Sequence, residues 1–112
     1  MPPRSWRLRI DDILAAVDAI LQYTGGMDRT TFAGDRRTVD AVVRNLIVIG
    51  EAAAHVPDDV VAAHPQIPWT RMRGMRNLAD HEYFGLDPDI LWDTVTGNLP
   101  GLIPELRRLI EP

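Results

Sequence analysis

The segment Arg73-Gly74-Met75-Arg76-Asn77-Leu78-Ala79-Asp80-His81-Glu82-Tyr83-Phe84-Gly85 gathers the side chains best suited to chemistry. Within it, Arg76, His81 and Tyr83 form an R-x4-H-x-Y pattern. A histidine titrates near neutrality, with an ordinary pKa of about 6.5, and so suits proton transfer. An arginine carries a permanent charge and a planar fork of donors that matches phosphate. Arg71, Arg73 and Arg76 lie within six residues, the densest positive cluster apart from Arg4, Arg7 and Arg9 at the start. Spacing by itself favours a plainer reading. Arginine and histidine on a helix are usually a solvated face, and a histidine near a helix C-terminus is favoured by the helix dipole.

Other chemistries lack their residues. The chain has no cysteine, which excludes disulfides, thiolate nucleophiles and cysteine metal sites. There is no phosphate-binding or dinucleotide-binding glycine pattern, and His81-Glu82 lacks the second histidine of a zinc-protease helix. His55 and His64 are nine apart, at an expected helix end and in a loop, and read as exposed or locally bonded rather than as metal ligands. No metal is expected. Net charge is −4, from 12 basic and 16 acidic residues, which argues against non-specific coating of nucleic acid. It leaves room for a local basic cleft, because the field that matters is local. All the cations are arginine.

The elements that must position these groups read as helices. One domain, residues 1–112, is expected, since the length suits a single core. Ser5 is a good N-cap, Ile10, Ile13, Leu14, Val17, Ile20 and Leu21 form an amphipathic stripe, and Gly25-Gly26 ends it. Residues 27–34 read as a connector with room for one short helical turn. A second helix is predicted from Asp35 to His55, its face built from Val39, Val42, Val43, Leu46, Ile47, Gly50, Ala53 and Ala54. Gly50 and the alanines would permit close helix approach. A short helix follows over Pro57–Ala63, then a loop from His64 to Pro68. A further helix is predicted from about Pro68–Thr70 to Tyr83, with Gly85 as its stop. Asp87-Pro88 opens the next, carrying Ile90, Leu91 and Val95. Pro100 and Pro104 are expected to break or kink the tail, where Leu102, Ile103, Leu106, Leu109 and Ile110 form a last apolar face. No segment alternates at period two. The expectation is an all-α, up-and-down helical bundle of about four to five helices. Trp69 and Trp92 are read as core or interface aromatics. Arg44, Asn45 and Glu51 are read as a surface or structural ion-pair group, and Arg107-Arg108 as a solvated helix end. No apolar run reaches membrane-spanning length and the start does not look like a signal peptide, so a cytoplasmic protein is expected.

Several ordered motifs together resemble the HEPN superfamily, and within it the HepT-like toxins. They are Arg7-Leu8-Arg9-Ile10, Asp40-Ala41-Val42-Val43-Arg44-Asn45-Leu46 with Ile49-Gly50-Glu51-Ala52, and Pro65-Gln66-Ile67-Pro68-Trp69. Gly74-Met75-Arg76-Asn77, His81-Glu82-Tyr83-Phe84-Gly85, and Leu91-Trp92 through Leu99-Pro100 complete the set. The resemblance implies a HEPN-like bundle and a metal-independent endoribonuclease that needs no cofactor. Arg76 and His81 would be catalytic and Asn77 supporting; Arg71 and Arg73, from the basic cluster beside them, are expected to bind RNA. Tyr83 matches the tyrosine that a MntA-like nucleotidyltransferase antitoxin modifies with AMP. Asp80 departs from the small or aliphatic residue usual before the histidine; an acid there is placed to pair with Arg76 or Arg73.

Cleaving RNA without metal needs a base for the 2′-hydroxyl, an acid for the leaving oxygen and a cation for the phosphorane. Residues five apart on an α-helix differ by about 140° in direction. Arg76 and His81 of one chain therefore do not point together, whereas a two-fold homodimer would bring two of each into one cleft. The resemblance implies the same arrangement. The alternative is a non-catalytic HEPN module that binds and serves a partner nucleotidyltransferase.

Overall fold

A computed structural model describes residues 5–84 and 86–111, without the side chains of 80–84. Those residues form helices and no strand, as the patterning predicts. Helix α1 spans Trp6–Thr24, and the Ser5 side chain accepts a hydrogen bond from the Arg7 N–H at its start. Gly25 closes it, and Gly26 then adopts φ +80°, a left-handed turn that glycine makes without strain. The connector is more regular than expected. Asp28 and Thr31 cap each other reciprocally and start α2, Arg29–Gly34. The D-x-x-T spacing is a short polar version of the capping-box signature.

Helix α3 runs Arg36–Ala54 between Asp35, whose carboxylate accepts from the Thr38 N–H, and His55. It is the axis of the molecule. Its Val42, Val43, Leu46, Ile49 and Ala53 meet Ile10, Ile13, Val17 and Ile20 of α1 in one buried core. Each such valine, leucine or isoleucine contributes about 1.5–3 kcal/mol on burial. Helix α4 is Asp58–Ala63. Pro57 is its cap rather than its first residue, and the predicted loop from His64 to Pro68 follows.

Two differences from the sequence expectation matter. The helix predicted to Tyr83 is α-helical only as α5, Trp69–Gly74, and continues as a 3-10 helix over Met75–Phe84. Met75 already has φ −62° and ψ −25°, the 3-10 range. Gly74, Asn77, Asp80 and Tyr83 are weak helix formers, so propensity does not enforce the α form. The predicted stop at Gly85 lies outside the described residues. Secondly, Ile90 leaves the apolar stripe: it is 65% exposed, while Leu91 and Val95 are buried.

Helix α6, Pro88–Asp93, has the predicted Asp87 cap and first-turn proline. It widens into a π turn over Thr94–Asn98 before α7, Leu102–Ile110, packs along α1. Pro104 sits in the first turn of α7 and does not break it. Arg29 ties α2 to α6 through Asp93 at 2.7 Å and Asp89 at 3.3 Å. These two partners, Asp93 first, raise its pKa. Phe32 and Trp92 add a tilted ring contact with centroids 5.2 Å apart. Among the described residues no helix is long and apolar enough to cross a membrane.

Candidate active site on the 3-10 helix

The candidate segment is built onto α3 rather than standing alone. Pro68 precedes α5, and the buried Trp69 indole donates to the His64 carbonyl at 3.0 Å, fixing where α5 begins. Buried Met72 anchors the helix inward. The 3-10 helix then packs along α3. Exposure follows a three-residue repeat there: Met75 and Leu78 are half-buried, while Arg76, Asn77 and Ala79 are exposed. That is the 3-10 period, in which residues i and i+3 eclipse.

Gly50 makes the closest approach. A Cβ built on it would lie 2.3 Å from the Arg76 backbone nitrogen and 3.0 Å from the Arg76 Cα. No side chain fits, so α3 and the 3-10 helix touch backbone to backbone at the first candidate residue. The sequence suggests that Gly50 permits close approach; the structure identifies what approaches.

The arginines separate into different environments. Arg76 is exposed and makes no side-chain hydrogen bond or ion pair among the described residues. Arg71 is likewise exposed and unpaired there. Arg73 is not free. Its Nε donates to the Ala53 carbonyl at 3.1 Å and its Nη2 to the Val56 carbonyl at 3.0 Å, with the Asp58 carboxylate 4.0 Å away. Ala53 lies in the last turn of α3 and Val56 just beyond it, where a cation is favoured by the helix dipole. Arg73 thus joins α5 to the end of α3. Its spacing within the arginine cluster gave no sign of this, since the partners are 17 and 20 residues away.

Asn77 is exposed beside Arg76. His81 and Tyr83 belong to the 3-10 helix, but their side chains lie outside the described residues, as does that of Asp80 with its expected pairing. The 3-10 geometry changes the angular argument without reversing it. At three residues per turn, positions 76 and 81 are separated by about 120° rather than 140°.

Other candidate residues fall where packing puts them. His55 contacts the Glu51 carbonyl through Nδ1 at 2.8 Å. Asn45 donates to the Ala41 carbonyl at 2.9 Å, whereas Arg44 and Glu51 are exposed and form no ion pair among the described residues. No cluster of three or more His, Cys, Asp or Glu residues that could hold a metal occurs among the described residues.

Against known proteins, residues 13–109 match the family model described as "Ribonuclease HepT-like". A protein of Thermococcus cleftensis named "Probable ribonuclease HepT" is 38% identical over 106 residues, covering 95% of this chain and 96% of its own length. A "Putative RNase" of Methanocaldococcus jannaschii is 37% identical over 111 residues, covering 99% of this chain and 92% of its own. A second one from that organism is 35% identical over 111 residues, with 99% and 96% covered. No solved structure matches the chain.

Proposed function

This chain belongs to the HepT-like ribonuclease family of the HEPN superfamily, and on that premise we propose that it is a metal-independent endoribonuclease toxin acting as a homodimer. Arg76 carries the reading. It is exposed and unpaired among the described residues, and its backbone is fixed against Gly50. A guanidinium so placed can meet a phosphate without first breaking a bond to any described side chain.

The chemistry is transfer to the 2′-oxygen. One His81 takes the proton from the 2′-hydroxyl as that oxygen attacks phosphorus. Arg76 balances the extra charge on the phosphorane. The bond to the 5′-oxygen breaks, and the His81 of the other copy returns a proton to it, leaving a 2′,3′-cyclic phosphate and a 5′-hydroxyl. Two copies supply the base and the acid that one chain cannot bring together. Asn77 supports the phosphate. Arg71 supplies an outer phosphate contact, while Arg73 acts by holding α5 to α3.

Control is assigned to Tyr83. Two residues beyond His81, its phenol is an acceptor for an adenylyl group transferred from ATP by a MntA-like nucleotidyltransferase antitoxin. The added AMP brings bulk and an anion to the place where RNA phosphate would enter.

Purified protein incubated with RNA in chelator tests the reading. Cleavage with cyclic-phosphate ends is expected, together with a dimer by light scattering. Intact mass after incubation with the antitoxin and ATP should rise by whole AMP units, and Tyr83→Phe should abolish the shift. No cleavage by the unmodified dimer would leave the alternative, a HEPN module that serves a nucleotidyltransferase without cutting RNA. That alternative is favoured by the Asp80 departure.

A further inference from the structure

A groove of about 190 Å³ lies between α5 and the π turn after α6. Its base is apolar, made by Met72, Leu99 and Leu102, all buried. Its rim carries Arg71, Met75 and Asn98. Met75 directly precedes Arg76, so the groove opens beside the proposed site. Arg71 and Asn98 are exposed, and neither side chain has a hydrogen-bond or ion-pair partner among the described residues.

The π turn shapes one wall. The Leu99 N–H reaches back to the Thr94 carbonyl at 3.1 Å, one residue farther than an α-helix would reach. Such widened turns occur often at functional sites. Gly97, in the same wall, has open space where a Cβ would stand.

We propose that this groove is a nucleobase subsite that selects adenine at one position beside the cleaved bond. A flat apolar ring suits the surface offered by Leu102 and the half-buried Met75, whose thioether makes favourable contact with an aromatic ring. The Asn98 amide offers a donor and an acceptor side by side, the pair that matches N6 and N7 of adenine. Arg71 holds the adjoining phosphate through its fork. The effect on cleavage rests on the ribonuclease reading above; the binding does not.

The test uses short single-stranded 2′-O-methyl RNAs, which lack the attacking hydroxyl and cannot be cleaved. Fluorescence anisotropy would compare an all-uridine oligomer with the same oligomer carrying one adenine at each position in turn. One adenine should strengthen binding on the order of tenfold. Asn98→Ala should remove that difference and leave all-uridine binding intact. Arg71→Ala should weaken both oligomers alike and lower the salt slope by about one. Equal binding of the two oligomers by the parent, or an undiminished preference in Asn98→Ala, overturns the subsite. Adenine-selective binding by a protein that cuts no RNA would keep the subsite and remove the catalytic reading. Cleavage without the preference would do the reverse.

Discussion

Helix α3 holds nineteen residues between an aspartate cap and a histidine, whereas α5 holds six, has no side-chain cap and gives way to a 3-10 helix. The first is helical because its own sequence makes it so: caps, an apolar face and a full core partner in α1. The second takes its path from what it leans on. Trp69 bonds to the loop before it, Arg73 to the end of α3, and the Arg76 backbone to Gly50. The scaffold is specified locally, and the candidate site is specified by contact. Substitutions in the site segment should therefore fall into two kinds, those that remove chemistry and those that remove support.

The largest effect should come from removing chemistry. His81→Ala should lower RNA cleavage by about a hundred- to ten-thousand-fold, the usual worth of general acid–base help, and Arg76→Ala by about a hundred- to a thousand-fold, through lost stabilisation of the phosphorane charge. Circular dichroism of Arg76→Ala should match the parent, because Arg76 is exposed and unpaired among the described residues. Parental cleavage by either variant would show that the residue is not catalytic.

Next comes support from the scaffold. Gly50→Ala forces a methyl into a backbone contact, and the two helices must part by roughly 1 Å, a misplacement that can cost about a hundredfold in rate. Stability should also fall by about 1–3 kcal/mol. Gly74→Ala sharpens the contrast, since nothing lies within 4 Å of its added Cβ. It should keep activity and gain about 0.5–1 kcal/mol from the better helix former. If cleavage falls equally in both glycine variants, proximity to Arg76 is not what Gly50 provides.

These contrasts also mark how far the sequence could be read. Stripes, caps and proline positions placed both ends of α1, α3 and α4 and the start of α6 to within a residue or two, because those signals are local. The candidate residues were legible through ordered motifs along the chain. What was not legible depends on distant partners. Three arginines within six residues look alike on paper. Only tertiary contact separates Arg73, bonded to Ala53 and Val56, from Arg71 and Arg76. The switch from α to 3-10 at Met75 was hidden for the same reason, and so was the π turn at Thr94–Asn98, since neither has a strong residue signature.

The arginine pair gives the third test. Arg73→Ala removes two charge-assisted hydrogen bonds to carbonyls and should cost about 2–3 kcal/mol in urea unfolding. Arg71→Ala should stay within about 0.5 kcal/mol of the parent, as surface substitutions do. Its effect should appear in RNA affinity and salt dependence instead. Similar unfolding midpoints for the two variants would contradict the division between a supporting and a free arginine.

The smallest effect belongs to the caps, and it is read by pH. Asp28 is held below its ordinary pKa first by the Thr31 hydroxyl and then by the Thr31 N–H, and Asp35 first by the Thr38 N–H. A carboxylate whose folded pKa is depressed stabilises the fold fully above its unfolded value, about 3.9. That contribution is lost as pH falls through the lower folded value. Asparagine is an equally good cap without the charge. Replacing both, Asp28→Asn with Asp35→Asn, should keep the helix starts and remove their titration. At pH 7 the parent should melt slightly higher, because an anion at a helix N-terminus is favoured by the dipole. The two melting temperatures should converge as pH drops below about 4. Carboxylates shared by both proteins cancel in the difference, so convergence reports the caps alone. Cleavage at pH 7 should be unchanged, since both residues cap the scaffold helices α2 and α3. A gap in melting temperature that stays constant from pH 7 into the acid range would show that these carboxylates do not act through their charge.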